Sequence, residues 1–134
     1  MPTESHSASV SSSALLAGGI ITGLVVLFLL FDGVTKIIKV TPVMEACEEL
    51  GVPSHTVVGI GVLLVACTAI YVTPQTAVLG AILLTGYLGG AAAIHVRAGS
   101  GAFPLAFSIG FGLLVWVGLI LREPRLLWTI LLRQ

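Results

Sequence analysis

LGVPSHTVVGIGVLLVACTAIYVTPQTAVLGAILLTGYLGGAAAI, residues 50–94, contains no Asp, Glu, Lys or Arg. Only the link Thr73-Pro74-Gln75 breaks its apolar character, dividing it into Thr56–Val72 and Thr76–Ile94. A helix needs roughly 20 mostly apolar residues, and at least about 17, to cross a ~30 Å hydrocarbon core. Both runs meet that length, and so short a link predicts an antiparallel helical hairpin inside a membrane. Outward from the hairpin the pattern repeats. Ala98–Leu121 is again free of charge and predicts a span over Phe103–Leu121, joined to the preceding one by the Gly-rich segment Arg97–Ala102. Upstream, Ala14–Phe31 predicts the first span.

Composition agrees with this reading. Charged residues make up 9% of the 134 residues and apolar ones 57%, with a mean hydropathy of +1.12. Soluble domains are about 25% charged and 45–50% apolar, and a soluble chain of this size could not cover its surface with so few charges. A membrane barrel would show ~10-residue segments of alternating hydrophobicity, which this sequence does not. The fold class is therefore all-α, a four-helix transmembrane bundle, antiparallel, with a short amphipathic helix in the first loop. Residues 14–122 form the membrane domain. Residues 1–13 are Ser-rich, with too little apolar content to fold alone, and predict a mobile tail. Residues 123–134, with Trp128 and Arg133, predict an interfacial C-terminal tail. The first run has no Lys/Arg-rich lead-in and no A-x-A-like cleavage site, so it reads as a span and not as a cleavable signal.

The segment after the first span carries half of the charged residues. Asp32, Lys36 and Lys39 alternate with Val34, Ile37, Ile38 and Val40, so the helix can leave the bilayer while keeping an apolar side. Pro42 disfavours helix at Thr41. Thr41 then suits an N-cap and Pro42 the first turn of a second helix. Val43, Met44, Cys47 and Leu50 fall on one face of it, and Glu45, Glu48 and Glu49 on the other, before Gly51 supplies a left-handed cap. Such a segment lies at the membrane surface, across the bundle mouth, or as a packed connector. Four spans place both termini on one side. There Arg122, Arg125 and Arg133 balance Lys36, Lys39 and Arg97 of the loop side, so the positive-inside rule gives no orientation.

Helices in lipid have no hydrophobic reason to associate, and small residues let them approach. Gly19 with Gly23, Gly86 with Gly90, Gly89 with Ala93, and Ser108 with Gly112 are all spaced by four. They predict the packing faces of a tight bundle or, in the competing use, of a homo-oligomer. Trp116, Trp128 and Tyr71 fall toward the terminal side, where aromatics commonly anchor at headgroup depth. Cys47 and Cys67 lie in the first loop and about 16 Å along the second span, too far apart for a bridge.

Polar chemistry gathers at the loop side. Asp32 and Lys36 are four apart where the first helix leaves the membrane, and His95 and Arg97 end the third span. Tyr87, Ala91 and His95 are spaced by four and share a helix face. These groups could bind a polar head or move protons, or form only a structural network of ion pairs and hydrogen bonds. No charge sits in mid-span, so a proton or ion relay lacks its steps. His6, His55 and His95 do not make a metal ligand set. No basic stripe suits a nucleic acid.

Phe31-Asp32-Gly33-Val34-Thr35-Lys36, Leu50-Gly51-Val52-Pro53, the run Gly80–Ala91 followed by His95-Val96-Arg97, and Trp116 through Leu126 resemble the DoxX-like membrane proteins. The resemblance extends over roughly residues 24–127, with Ala93-Ile94-His95 where a Thr before the histidine is common. It implies a four-helix protein of the bacterial cytoplasmic membrane with both termini in the cytoplasm. It marks Asp32, Gly33, Lys36, Gly86, Tyr87, Gly89, Gly90, His95 and Arg97 as motif positions, and it makes a quinone a possible cofactor, none being evident from the residues. Three functions follow as expectations. The first is an accessory or small-molecule-binding subunit whose partners are the bilayer and a second copy or a membrane or redox protein. The others are a quinone-linked oxidoreductase component and a small transporter.

Overall fold

The computed structural model describes the backbone of residues 2–126 and the side chains from Ser12 onward. Trp128 and Arg133 lie outside the described residues. Among the described residues five α-helices follow one another: α1 (Pro2–Ile37), α2 (Thr41–Glu49), α3 (Ser54–Val72), α4 (Ala77–Ala98) and α5 (Ala102–Arg122), with a 3-10 turn at Pro74–Thr76. Four segments are long and apolar enough to cross a membrane: Ser12–Ile37, Ser54–Val72, Pro74–Ala98 and Ala102–Arg122. Residues 2–13, which the sequence reads as a Ser-rich tail, belong to α1. Extending a formed helix adds a hydrogen bond for each residue fixed, without a new nucleus.

The helix ends on the loop side share one construction. At the end of α1 the Val40 amide donates to the Thr35 carbonyl and the Lys39 amide to that of Lys36, with Lys39 left-handed at φ 57°. At the end of α2 the Val52 amide donates to Cys47 and Gly51 to Glu48; after α4, Ser100 donates to His95 and Gly99 to Val96. These are Schellman closures, which satisfy carbonyls the helix leaves open. They also change the reading of the α1–α2 corner. The N-cap of α2 is Val40, with no side-chain cap bond, and Thr41 is already helical. The backbone closure at Val40 fixes the corner, and the Val40 carbonyl accepts from Met44, so no hydroxyl is needed. Thr73 does precede the Pro74–Thr76 turn, but its hydroxyl donates back to the Ala69 carbonyl.

The four spans form a ring in which α1 and α4 each pack against α3 and α5, while α2 rests on α1 and α3. Chain neighbours run antiparallel. Their outer faces carry Leu16, Leu24, Leu27, Phe31, Ile82 and Leu113, all exposed, as lipid contact requires. Most of the core lies in the half of the ring nearer the termini: Val25, Leu29, Leu64, Cys67, Tyr71, Ala77, Ala81, Leu84, Leu88, Val115 and Leu119 are buried, Leu29 and Leu88 also bordering the space on the loop side.

Close packing does rest on glycine, but not on the expected pairs. A Cβ on Gly80 would lie 2.3 Å from the Tyr71 backbone. Gly118 faces the Thr22 hydroxyl, Gly18 faces Leu121 and Arg122, and Gly33 and Gly61 bring α1 and α3 together. By contrast Gly19, Gly23, Gly86, Gly89 and Gly90 have nothing within 4 Å of such a Cβ, and Gly112 has only Leu88 at 4.0 Å. A spacing of four puts two glycines on one face without saying that the face points inward. Of these positions only Ser108 is buried.

The large aromatic donors of the spans find their partners within the bundle. Tyr71 is fully buried and donates its hydroxyl proton to the Val115 carbonyl at 2.7 Å. Its ring also lies 5.5 Å from the Arg122 guanidinium carbon. Trp116 donates its indole N–H to the Thr85 hydroxyl at 2.7 Å, and that hydroxyl donates to the Ala81 carbonyl. The headgroup-anchor reading is thereby overturned for Tyr71, whose side chain is fully buried, while the Trp116 ring is only partly buried. Both donors are used between helices, because an unpaired donor in hydrocarbon costs several kcal/mol.

Two outcomes test this packing. Gly80→Ala has no flexible neighbour to displace and should cost about 3 kcal/mol of unfolding free energy in detergent, whereas Gly19→Ala should be neutral or stabilising by up to about 1 kcal/mol. Equal losses would refute the inward assignment of Gly80. Tyr71→Phe should cost about 1 kcal/mol, the usual worth of an interhelical hydrogen bond in a membrane protein, read as a lowered thermal midpoint with unchanged helical content.

Candidate functional site

Tight contact at the terminal end and divergence at the other leave a cavity of about 630 Å³ on the loop side. That is within the range of pockets that hold small ligands, about 300–1,000 Å³. Each helix contributes for a local reason. The last turns of α1 bring Phe28, Leu29, Asp32 and Lys36 inward at spacings of three and four. The apolar face of α2 turns Val43, Ala46, Cys47 and Leu50 over the cavity, so the short helix lies across the bundle mouth. From α3 come Ile60 and Leu63, from α4 Tyr87, Ala91, Ile94 and His95, and from α5 Phe107, Ser108 and Phe111.

Asp32 and Lys36 form the one charged pair at the cavity. Lys36 Nζ donates to Asp32 Oδ2 at 2.6 Å, and both side chains are half-buried. The lysine stem runs past Gly61, where an added Cβ would stand 2.9 Å from the Lys36 Cβ. The pair is thus held against α3 as well as along its own helix. An exposed pair of this spacing is worth ~0.2–0.5 kcal/mol; half-buried, its partners also neutralise each other where a lone charge would be costly.

Tyr87 and His95, two turns apart on α4, both line the cavity, as their shared face requires. His95 Nδ1 is buried and has no hydrogen-bond partner among the described residues. The nitrogen accepts in one tautomer and donates in the other. Arg97 does not join the group: it is exposed and does not line the cavity. Two residues beyond His95, it lies about 200° around the helix. His55 is exposed too. Among the described residues no three His, Cys, Asp or Glu side chains converge as metal ligands.

Gly86 and Gly90 border the cavity and do not pack against another helix. Ser108, expected as a packing position, is buried at its wall. The sequence reading missed the aromatic wall. Phe28 of α1 stacks on Phe111 at 4.6 Å and meets Phe107 edge-on at 5.4 Å, and Phe107 and Phe111 lie 4.8 Å apart. The signal was the spacing by four of Phe103, Phe107 and Phe111 along α5. Cys47, placed by the sequence on the apolar face of the short helix, is a buried free thiol at the cavity.

The arrangement is an apolar chamber with a neutralised ion pair, a phenol, an imidazole and a hydroxyl set along it. It can hold a mostly apolar molecule and orient its polar end. The comparison with curated proteins gave no match, and neither did that with solved structures. The family model described as the DoxX-like family matches residues 20–118, a segment that contains every residue lining the cavity. With that match over most of its length, and with four membrane-crossing helices, the chain is an integral membrane protein and belongs to the DoxX-like family.

Proposed function

We propose that this protein is a membrane subunit that binds a neutral, lipid-soluble molecule, with the molecule's polar end beside Asp32, Lys36, Tyr87 and His95. The observation that carries the reading is a ligand-sized, largely apolar cavity whose lining includes the Asp32–Lys36 pair, Tyr87 and His95, the last with a buried Nδ1 that has no partner among the described residues. An unsatisfied buried polar atom costs about 1–3 kcal/mol, and a ligand that hydrogen-bonds it recovers part of that. Neutrality follows from the ion pair. Lys36 and Asp32 satisfy each other at 2.6 Å, and Arg97 faces away, so a charged ligand would find no free counter-charge among the cavity residues.

A quinone meets this description. Its carbonyl oxygens accept hydrogen bonds only, and Tyr87 and the donor tautomer of His95 would hold it against the phenylalanine wall. A bound quinone would supply reversible two-electron chemistry; the residues here bind and orient it. With the termini in the cytoplasm, the cavity would lie in the leaflet facing away from it, and a partner protein would meet it there across α2.

Native mass spectrometry from mild detergent tests the reading. The wild-type chain should retain a neutral adduct of a few hundred daltons, consistent with the cavity volume. Asp32→Asn combined with His95→Ala should lose most of that occupancy, and Tyr87→Phe part of it. A wild-type chain released bare from lipid-rich membranes, or a double variant that keeps the adduct, would overturn it.

A further inference from the structure

We infer that the cavity takes its ligand from the hydrocarbon of the bilayer, through a side cleft between α3 and α4 bordered by Leu63 and Gly90, while α2 covers the aqueous mouth. The inference rests on the reading of the cavity as a ligand site, and it assigns the ligand a class: a molecule that partitions into lipid before it binds.

The cleft follows from where α3 and α4 touch. At the hairpin end they are in backbone contact, Gly80 against Tyr71. The same face of α3 continues from Tyr71 through Cys67 to Leu63 and Ile60, at spacings of three and four. The same face of α4 continues from Gly80 through Leu84 and Tyr87 to Ala91 and Ile94. Near the hairpin these faces are sealed, with Tyr71, Cys67 and Leu84 all buried. Toward the loop side they are not. Ile60, Leu63, Tyr87, Ala91 and Ile94 line the cavity instead of closing on each other, and Leu63 is 55% exposed.

Gly90 sits at the outer margin of this α4 face. It is exposed, it borders the cavity, and a Cβ there would meet nothing within 4 Å. A glycine inside a helix is destabilising relative to alanine, and no close helix contact at Gly90 offsets that. The missing side chain keeps the margin of the cleft low. Leu63 on the opposite margin is flexible and apolar, so the gap between them is a passage that a hydrocarbon molecule can cross without losing lipid-like surroundings.

The other side is obstructed. α2 places Val43, Ala46, Cys47 and Leu50 over the cavity, and Schellman closures at Lys39 and Gly51 fix both ends of that helix. Cys47 is 9% exposed and lies on the cavity side of α2, so its thiol reports which solvent reaches the chamber.

The test uses that thiol in a Cys67→Ala chain reconstituted in permeabilised lipid vesicles, so that reagents reach both faces. N-(1-pyrenyl)maleimide enters from the bilayer; a sulfonated methanethiosulfonate enters from water. Rates are referred to a free thiol in the same vesicles. The expected result is labelling by the pyrenyl reagent that Gly90→Leu slows about tenfold, reactivity of a thiol being limited by access. Gly23→Leu, equally unhindered but on α1, should leave the rate unchanged, and the sulfonated reagent should react slowly with all three chains. Equal pyrenyl rates in Gly90→Leu and its parent would overturn the inference, as would a sulfonated reagent that reacts as fast as the pyrenyl one. Either result would leave the ligand-retention measurement standing, so the route and the site fail separately.

Discussion

The contact on which the bundle depends is the backbone of Tyr71 against Gly80. In lipid there is little gain from hiding apolar surface, so helices associate through close van der Waals contact and through polar groups that must find partners inside the protein. Tyr71 meets both conditions at once. Its main chain touches α4 where only glycine fits, and its hydroxyl reaches the Val115 carbonyl of α5. One residue at the end of α3 therefore joins three helices. Gly118 against Thr22 and Gly18 against Leu121 add α1 to the same end. The terminal half of the bundle is closed because its backbones are nearly in contact, with side chains filling what little space is left.

The open half follows from the closed one. Helices pinned at one end can diverge where no short link joins them at the other: on the loop side the short link joins only α4 to α5, and the segment between α1 and α3 is long enough to hold a helix of its own. Gly33 and Gly61 keep α1 and α3 together throughout, so the divergence falls between that pair and α4 with α5. α2, resting on α1 and α3, extends its apolar face over the resulting space. Its three glutamates are on the opposite face, which suits a helix with lipid-like surroundings on one side and water on the other. The aromatic contact of Phe28 with Phe107 and Phe111 bridges the gap on the α1–α5 side without filling it.

Much of this was legible in the sequence. The spans were, because the absence of charge over some twenty residues has one physical explanation. α2 was, through its proline, its glycine and its two-faced composition. The shared face of Tyr87 and His95 followed from spacing alone. What failed did so where sequence gives spacing but not direction. Gly19 and Gly23 share a face, but that face looks outward, while Gly80 and Gly118 have no glycine partner at four residues and carry the contacts. Tyr71 near a span end read as a headgroup anchor until its inward direction was known. Arg97 and His95 are neighbours in sequence and opposed on the helix. The phenylalanine wall needed α1 and α5 to be adjacent, and adjacency is a property of the ring, which no single segment encodes.

The position of the charged pair decides what the chamber can hold. Had Asp32 faced the cavity alone, its carboxylate would have had to be protonated or to wait for a cation, and the site would select for positive charge. One turn later Lys36 supplies the counter-charge, held in place by the glycine surface of α3. What reaches the chamber is then a dipole with hydrogen-bonding oxygens and protons around it, beside an imidazole nitrogen with no partner. A dipole attracts a polar but uncharged group, and attracts it more strongly in apolar surroundings than in water. A molecule with such a group at one end and hydrocarbon at the other is soluble in the bilayer, and the structure offers it a chamber that is closed toward the termini, covered by α2 and bounded elsewhere by apolar walls.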